Sequence, residues 1–301
     1  MGKLTAIVLG AAAGGGFPQW NCRCPVCQLA WAGDARVCAR TQASLAVSAD
    51  ERHWVLLNAS PDLRSQIAAN AMLQPRQAPR GSPIAAVVLT GAEVDQVAGL
   101  LSLRERRSFA IYATADTLDA IAANPIFDVL ASDIVPRHAV ALDATFTPLP
   151  DLQAELFTVP GKLPLYLEGE NPALASETEA NVGIEVRSGN KRLVYVPGVA
   201  AVTRGLKRRL ARANVIFFDG TLFTDDEMIR TGTGSKTGRR MGHMPIEGAD
   251  GALAALADVS ARRVFIHINN TNPILIAGSP ERQKVEAAGW EIAEDGLKIV
   301  L

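Results

Sequence analysis

Residues 4–27, LTAIVLGAAAGGGFPQWNCRCPVC, join a short apolar run, a glycine cluster and three closely spaced cysteines. The run 4–9 is aliphatic and β-branched, which predicts a buried strand. Cys22, Cys24 and Cys27 lie within one or two turns of chain, so their thiolates are close enough to bind a single soft ion. Zinc is the expected ion, because it is commonly held at sulfur-rich tetrahedral sites, and such closed sites are normally structural.

The rest of this stretch leaves alternatives open. The cysteines could instead be buried apolar residues or half of a disulfide pair, with Cys38 as the remaining partner. Spacings of one and two residues make a low-strain disulfide between neighbours difficult, so we favour a metal site with its fourth ligand outside the motif. Gly14 and Gly15 allow positive φ values and a close approach of the backbone, and we predict that they contact a bound ligand.

Composition excludes several classes of protein. The chain has 301 residues, a net charge of −1 and a pI of about 6.4, which give no electrostatic case for nucleic acid or an anionic membrane. It contains no run of about 18 apolar residues free of glycine or proline breaks, so we predict no membrane span. Few cysteines, mostly clustered, suit a reducing compartment, and we expect a cytoplasmic protein with a single domain, 1–301.

Hydrophobic periodicity predicts a chain rich in both strands and helices. The predicted strands are 4–9, 44–47, 54–58, 84–90, 109–113, 152–159, 182–186, 193–196, 215–218, 264–268 and 297–301, and the predicted helices include 116–123, 204–212, 252–259 and 281–290. The acidic stretch 168–181 is expected to be an exposed loop or a lid. Two strand-rich halves, each finishing with helices, favour an α/β fold of the αββα type, with two mixed sheets face to face and helices outside.

Three of the predicted strands end in polar residues. Glu93 and Asp95 follow 84–90, Asp219 follows four apolar residues, and His267 lies in the strand 264–268. Glu93 and Asp95 could be an ordinary helix N-terminus, and His267 alone could be a core histidine. An acid after an apolar strand is more informative, because carboxylates are seldom buried without a partner. Together the four residues predict an ion site rich in oxygen and nitrogen donors.

A second polar cluster lies in the glycine-rich segment 231–243, TGTGSKTGRRMGH. Lys236, Arg239 and Arg240 could bind a polyanionic ligand by pairing with its carboxylates, or they could belong to a solvated, flexible loop. His243 has an intrinsic pKa close to neutrality, so it could act as a general acid or base or as a metal ligand. We predict that the three cations bind the cofactor or substrate.

Several blocks of the chain resemble a known family. The blocks are GAAAGGGFPQWNCRCPVC, NASPD (58–62), VPGK (159–162), FFDGT (217–221), KTGRRMGH (236–243) and HINNTNP (267–273). Together they resemble the coenzyme pyrroloquinoline quinone (PQQ) synthesis protein B family, which belongs to the metallo-β-lactamase-like superfamily. The resemblance implies the same sandwich fold and a role in making PQQ from a cross-linked glutamate–tyrosine precursor. A tricarboxylate-like product would suit the cationic segment.

The resemblance also implies which residues hold metal. The superfamily motif His-x-His-x-Asp-His falls on Gly91, Glu93, Asp95 and Gln96, so glutamine stands where the family generally keeps a histidine. A glutamine amide is a poor iron ligand compared with imidazole. The implied iron site is therefore Glu93, Asp95, Asp219 and His267, with His243 in support. The cysteine motif implies structural zinc, and its fourth ligand is either Asn270 or His267.

Three functions follow from this reading. The first is an iron-dependent oxygenase that hydroxylates the tyrosine ring of the precursor, with Asp95, Asp219 and His267 as ligands. In this reading His243, Lys236 and Arg239 hold or protonate the substrate. The second is a non-catalytic carrier of PQQ or its precursor toward the periplasm. A hydrolase of the phosphodiesterase type is the weakest of the three, for want of histidines. The expected partner is a small molecule, and a homodimer is a further expectation.

Overall fold

A computed structural model describes residues 2–76, 79–167 and 176–301 of the chain. The described strands are β1 (Thr5–Gly10), β2 (Ser44–Ser48), β3 (Trp54–Leu57), β4 (Ile84–Val88), β5 (Ala110–Ala113), β6 (Arg137–Ala139), β7 (Thr145–Leu149), β8 (Leu152–Gly161), β9 (Ser176–Ser188), β10 (Lys191–Val196), β11 (Val215–Asp219), β12 (Arg262–Ile266), β13 (Trp290–Ile292) and β14 (Lys298–Val300). Each predicted strand overlaps one of these, whereas β6, β7 and β13 were not predicted as strands.

Short helices connect the strands. The described α-helices are α1 (Pro25–Trp31), α2 (Leu63–Ala69), α3 (Val94–Val97), α4 (Ala115–Ala122), α5 (Arg204–Leu210), α6 (Glu227–Arg230), α7 (Ala252–Ala255) and α8 (Pro280–Ala287). Six 3-10 helices accompany them, at Ala71–Leu73, Ala98–Leu103, Pro125–Val129, Leu165–Leu167, Arg239–Met241 and Pro273–Leu275. In the part of the chain that is described, no helix has the length and apolar character needed to cross a lipid bilayer.

The strands form two seven-stranded sheets of matching design. One has the order β14-β1-β2-β3-β4-β5-β6 and the other has the order β13-β12-β11-β10-β9-β8-β7. In each sheet one half is antiparallel and the other half is parallel, with the change of direction at β3/β4 and at β10/β11. Both sheets are therefore mixed, as predicted. The last strand of the chain, β14, pairs with β1 and so closes the first sheet rather than the second.

Three hydrophobic layers account for the sandwich. Val8, Leu45 and Val88 of the first sheet share one buried cluster with Ile184 and Phe217 of the second sheet. Two further clusters lie between the outer sheet faces and the helices. Alternate residues of a strand point to opposite faces, so strands such as β1 and β11 are buried on both faces and read as nearly continuous apolar runs. The predicted αββα fold class is confirmed.

Three predicted segments differ in the structure. The predicted helix 252–259 is limited to the single turn Ala252–Ala255. The proposed loop or lid 168–181 falls largely outside the described residues, and its last part, 176–181, is strand rather than loop because it belongs to β9. The predicted helix 281–290 ends early, since Gly289 adopts a φ of 76° that ends a helix readily. Trp290 instead begins β13, where its ring stacks on Phe265 at a centroid distance of 4.0 Å.

Candidate active site and metal centres

Asp219 and His267 lie at the ends of two neighbouring parallel strands, β11 and β12. Asp219 ends β11 and lies in register with Ile266, the last residue of β12, so His267 follows immediately on the adjacent strand. Asp219 is fully buried. Its carboxylate accepts hydrogen bonds from the Val199 amide at 2.9 Å and from the Thr221 amide and hydroxyl at 3.0 and 2.6 Å. These donors satisfy a carboxylate that would otherwise be costly to bury.

Thr221 lies at the centre of the polar cluster. Its Oγ1 is 2.9 Å from Nδ1 of His267 and 3.1 Å from Nδ1 of His243. Nδ1 of His243 also lies 2.7 Å from Oδ2 of Asp219. The two imidazole rings stack at a centroid distance of 5.2 Å with 19° between their planes. A single hydroxyl therefore connects the ends of β11 and β12 to the glycine-rich segment that carries His243.

The opposite side of His267 faces Asp95. Nε2 of His267 lies 3.0 Å from Oδ2 of Asp95, just inside α3. Burial opposes ionisation of both groups, yet their hydrogen bond and opposite charges outweigh it. As a result the pKa of Asp95 is lowered and the pKa of His267 is raised. The contact thus favours the charged form of each group when no ion is bound.

His267 takes part in two sets of donors, one with Asp95 and one with Asp219 and His243, and each set could hold a metal ion. An ion about 2.1 Å from each of two cis ligands keeps the ligand atoms about 3 Å apart, which matches the separation of Asp95 and His267. The hydrogen bond of the other His267 nitrogen to Thr221 is the kind of outer contact that orients a metal-binding imidazole. Ligand atoms of Asp219, His243 and His267 also lie within 4.8 Å of one another. Imidazole and carboxylate donors suit Fe²⁺ or Mn²⁺.

Two predicted positions of the motif are engaged elsewhere. The Glu93 carboxylate lies 3.2 Å from the Lys162 ammonium. The Gln96 amide oxygen accepts a hydrogen bond from the Glu93 backbone at 3.1 Å, which satisfies an otherwise unpaired donor at the start of α3. Glu93 therefore has an ammonium partner. The side-chain oxygen of Gln96, which is the atom that could bind an ion, caps the start of α3 instead.

A cavity of about 400 Å³ opens in front of this cluster. Its polar lining comprises Glu93, Asp95, Gln96, Lys162, Asn181, Thr221, Lys236, His243, His267 and Asn269. Gly14 also lines it, at a point where an added Cβ would stand 3.6 Å from Asp95. Of the other residues predicted to bind the ligand, Gly15, Arg239 and Arg240 are not among those that line the cavity. The Arg239 guanidinium pairs with Asp250 at the surface instead.

The cysteine cluster is built from one short stretch. The sulfur atoms of Cys22, Cys24 and Cys27 lie within 4.8 Å of one another. The Cys24 amide donates to the Cys22 sulfur at 3.4 Å, and the Cys27 amide donates to the Cys24 sulfur at 3.5 Å. Burial and the neighbouring sulfur groups raise the pKa of Cys24 to about 12. The three thiols converge, and the Cys24 thiolate is disfavoured in the absence of a cation, which fits a zinc site.

Asn270 lies over the cysteine sulfurs from the far end of the sequence. Its amide nitrogen is 3.1 Å from the sulfur of Cys22 and 3.3 Å from that of Cys27. Exchange of the amide nitrogen and oxygen by rotation of the group would present an oxygen ligand at the same place. His267, the other predicted fourth ligand, does not face the cysteines. Its ring nitrogens face Asp95 and Thr221, so that alternative is wrong.

Sequence reasoning missed several residues of the cavity, including Asn181 and Asn269, and two of the missed residues contact the predicted cluster. Thr221 carries the hydrogen bonds that join both histidines to Asp219, and Lys162 is paired with Glu93 at the end of β8. Both belong to blocks that were recognised as motifs, FFDGT and VPGK, without a role for these particular side chains. A hydroxyl two residues after a buried acid, and a lysine directly after a strand end, were the available signals.

The fold and the cavity define a class of protein. A sequence model described as a beta-lactamase superfamily domain matches residues 53–268, which is more than half of the chain. A diphosphatase of the PhnP family has the same fold, with a TM-score of 0.70, 19% identity and coverage of 99% of this chain and 97% of that chain. The protein is therefore a member of the metallo-β-lactamase-like superfamily.

More similar proteins identify one family within this superfamily. The coenzyme PQQ synthesis protein B of Methylobacterium sp. (strain 4-46) is 57% identical over 299 residues, covering 99% of this chain and 100% of that protein. Its counterpart in Gluconacetobacter diazotrophicus is 53% identical, over 97% of this chain and 98% of that protein. The Zn²⁺-bound PqqB structure from Methylobacterium extorquens is 55% identical, with a TM-score of 0.97 and coverage of 98% and 99%. The chain belongs to the coenzyme PQQ synthesis protein B family.

Proposed function

We propose that the protein acts in PQQ biosynthesis as an iron-dependent oxygenase that hydroxylates the tyrosine ring of the cross-linked glutamate–tyrosine precursor. One observation carries this proposal: Asp95 and His267 are spaced at 3.0 Å, as two ligands of one ion would be, on the wall of a cavity. Asp219 would complete the protein ligands. Membership of the PQQ synthesis protein B family supports the pathway, and the Zn²⁺-bound relative supports a bound zinc ion, for which the three converging cysteines are the proposed site.

The shape and charge of the cavity suit a small anionic substrate. A volume of about 400 Å³ lies within the range of small-molecule sites. Lys162 and Lys236 line the cavity on the side of β8 and of the glycine-rich segment. Ammonium groups pair well with carboxylates in a partly desolvated site. We therefore assign the substrate carboxylates to these two lysines. Arg239 and Arg240 are not among the proposed contacts, because they do not line the cavity.

Each residue of the polar cluster would have a separate task in the reaction. Iron(II), if held by Asp95, His267 and Asp219, would supply the activation of dioxygen. His243 is held through Nδ1 by Asp219, which leaves Nε2 to give or take a proton next to the ring that reacts. Thr221 fixes the orientation of both imidazoles. One oxygen atom enters the ring as a hydroxyl group and the other leaves as water, with two electrons from an external reductant.

Isotope labelling tests this function directly. The zinc-loaded protein is incubated anaerobically with iron(II), a reductant and the cross-linked precursor, and then exposed to ¹⁸O₂. We expect the precursor mass to increase by labelled oxygen, and we expect Asp95→Asn to abolish the increase. A precursor mass that stays constant with fully iron-loaded protein would contradict the oxygenase.

A second candidate function is a carrier for PQQ or its precursor. Gln96 and the Glu93–Lys162 pair favour it, because both reduce the number of protein ligands for an ion in the cavity. A carrier would bind PQQ with equal affinity in the presence and absence of iron, whereas the oxygenase requires iron for product formation. A hydrolase with two metal ions is the least favoured function, because the first two histidine positions are Gly91 and Glu93. Cytoplasmic location and a homodimer stay predictions.

A further inference from the structure

One short segment, residues 267–272, reaches both candidate metal centres. It begins directly after β12, which ends at Ile266. Its first residue, His267, faces Asp95 in the cavity, and Asn270 faces the cysteines only three residues later. Because consecutive Cα atoms are about 3.8 Å apart, the Cα atoms of His267 and Asn270 are separated by about 11 Å at most. So short a segment can absorb little displacement, so a shift at one end should move the other end.

The cavity end of the segment is attached to Thr221. The Thr221 hydroxyl lies 2.9 Å from Nδ1 of His267 and 3.0 Å from its carbonyl oxygen. The Asn269 amide donates to the Thr221 carbonyl at 3.0 Å. The buried Asn272 side chain donates to the Gly220 carbonyl at 3.0 Å. These contacts hold the segment against the loop that follows β11, and so against Asp219.

The other end is attached to the cysteines through Asn270. The residue is buried, with 4% of its surface exposed. Besides the contacts of its amide with Cys22 and Cys27, its carbonyl accepts a hydrogen bond from the Cys24 thiol at 3.5 Å. Both the side chain and the backbone of one residue are therefore engaged by the cluster. A zinc ion would strengthen this attachment if Asn270 supplied the fourth ligand.

The backbone at the cavity end of the segment is strained. His267 has a φ of 59°, which lies in the left-handed region. This conformation is unfavourable for a residue with a Cβ, so its surroundings must hold it there. Release of one attachment allows the segment to relax toward ordinary φ values. The His267 ring would then move away from Asp95.

From these contacts we propose that Asn270 is a positioning residue that couples the cysteine cluster to the ion site of the cavity. Attachment of Asn270 to the cluster holds residues 267–272 in the strained form, and this form sets the distance between His267 and Asp95. By thermodynamic linkage, zinc in the cysteine cluster raises the affinity of the cavity for its ion, and the reverse also holds. The proposal rests on the proposed function only in assigning an ion to the cavity.

Manganese binding tests the coupling without any turnover. Mn²⁺ prefers carboxylate and imidazole donors over thiolates, so it reports on the cavity while zinc stays in the cluster. The dissociation constant and the electron paramagnetic resonance spectrum of Mn²⁺ are measured for the zinc-loaded wild type, Asn270→Ala and Asn270→Asp. Asn21→Ala serves as the control, because Asn21 is an exposed asparagine next to the same cysteines.

We expect Asn270→Ala to weaken Mn²⁺ binding about tenfold and to alter the spectrum. Asn270→Asp, which retains an oxygen ligand of the same shape, and Asn21→Ala should stay close to the wild type. Unchanged Mn²⁺ binding in a zinc-retaining Asn270→Ala protein would overturn the proposal. If this variant loses zinc, the wild type with and without zinc provides the comparison, and equal Mn²⁺ affinities there would overturn it as well.

The coupling and the oxygenase can fail separately. Oxygen insertion with no effect of Asn270→Ala on Mn²⁺ affinity would contradict the coupling alone. A clear coupling with no oxygen insertion would contradict the oxygenase and leave the role of Asn270 intact.

Discussion

The cysteine cluster and the cavity cluster both bring possible metal ligands together, but the ligands come from differently spaced parts of the chain. Three sulfur donors of the first come from six consecutive residues, 22–27, and two of them are buried. The donors of the second come from four distant places in the chain, and Asp95, His243 and His267 keep between 12 and 18% of their side chains exposed. A closed set of soft donors suits a permanent structural ion, and an open set of hard donors suits an exchangeable one.

The two clusters also differ in what remains when no ion is bound. Within the described residues the cysteine thiols contact one another and Asn270, and the raised pKa of Cys24 shows that the surroundings disfavour its thiolate. The cavity groups instead have partners among themselves, since His267 pairs with Asp95 and Nδ1 of His243 lies 2.7 Å from the Asp219 carboxylate. Loss of the cluster ion should therefore reduce the stability of the fold, whereas loss of the cavity ion should leave the fold largely unchanged.

The largest effect is expected from Cys24→Ser. A ligand held at about 1,000 times its dissociation constant stabilises a protein by about 4 kcal/mol, and this contribution disappears with the zinc. We expect urea unfolding to show a loss of about that size together with the loss of zinc in elemental analysis. Cys38→Ser is the matched control, because Cys38 is exposed and lies outside the cluster. Equal stability of the two variants would show that the cluster has no structural role.

A pH effect is expected from Glu227, which lies beneath the segment shared by the two clusters. Its carboxylate is buried and accepts hydrogen bonds from the Thr271 hydroxyl at 2.5 Å and the Phe223 amide at 2.7 Å. Burial, only partly offset by the bond from Thr271, raises its pKa from 4.5 to about 7. Below pH 4.5 the acid is protonated in both the folded and the unfolded states, so it has no effect on stability there.

Between those two pKa values the unfolded chain loses the Glu227 proton while the folded protein keeps it. The free energy of unfolding therefore falls as pH rises toward 7, by about 3 kcal/mol in all, and this loss is complete above that pH. Glu227→Gln mimics the protonated acid and should remove this part of the pH dependence. The measurement is the difference in urea unfolding between wild type and variant at several pH values. A difference that does not change with pH would contradict the raised pKa.

The next largest effect is expected from Asp95→Asn, which should change ion binding in the cavity and leave the cysteine cluster unchanged. The change removes one charged ligand from the cavity and keeps the shape of the side chain. We expect Mn²⁺ affinity to fall about 100-fold, with zinc content unchanged. Isothermal titration and elemental analysis on the same sample check both statements. Unchanged Mn²⁺ affinity would exclude Asp95 as a ligand.

Gln96→His should give the smallest effect, in the opposite direction. Histidine offers an imidazole ligand at the fourth motif position, and we expect Mn²⁺ or iron(II) to bind about tenfold more tightly. The same change removes the bond from Gln96 to the Glu93 backbone, so a loss of stability of about 1 kcal/mol should accompany the gain. No gain in affinity would mean that position 96 does not point at the ion.

The contrast between the clusters also explains what the sequence could predict. The cysteines of the zinc motif were found because their spacing is local, and the apolar strands were found because two buried faces leave nearly unbroken hydrophobic runs. The assembly of the cavity depends on register between distant strands, such as Asp219 beside Ile266, and no local pattern encodes such pairing. Polar strand ends still indicated the region of the cavity, because parallel strands end at the same edge.

Individual side chains were harder to place than elements. Arg239 and Lys236 look equivalent in the sequence, yet one pairs with Asp250 at the surface and the other lines the cavity. The direction of each side chain depends on local turns, including the left-handed Gly242. The role of Thr221 depends on three partners from different segments, so its importance could not be read from the FFDGT block alone.

The most direct test of the two-centre account is metal analysis on one reconstituted sample. The protein is loaded anaerobically with zinc and iron(II), passed over a mild chelator and analysed for both metals and for thermal stability. We expect one zinc per chain to stay, the iron to leave, and the melting temperature to change little when it does. Absence of zinc from the folded protein, or a fall in stability on removal of iron alone, would contradict the account.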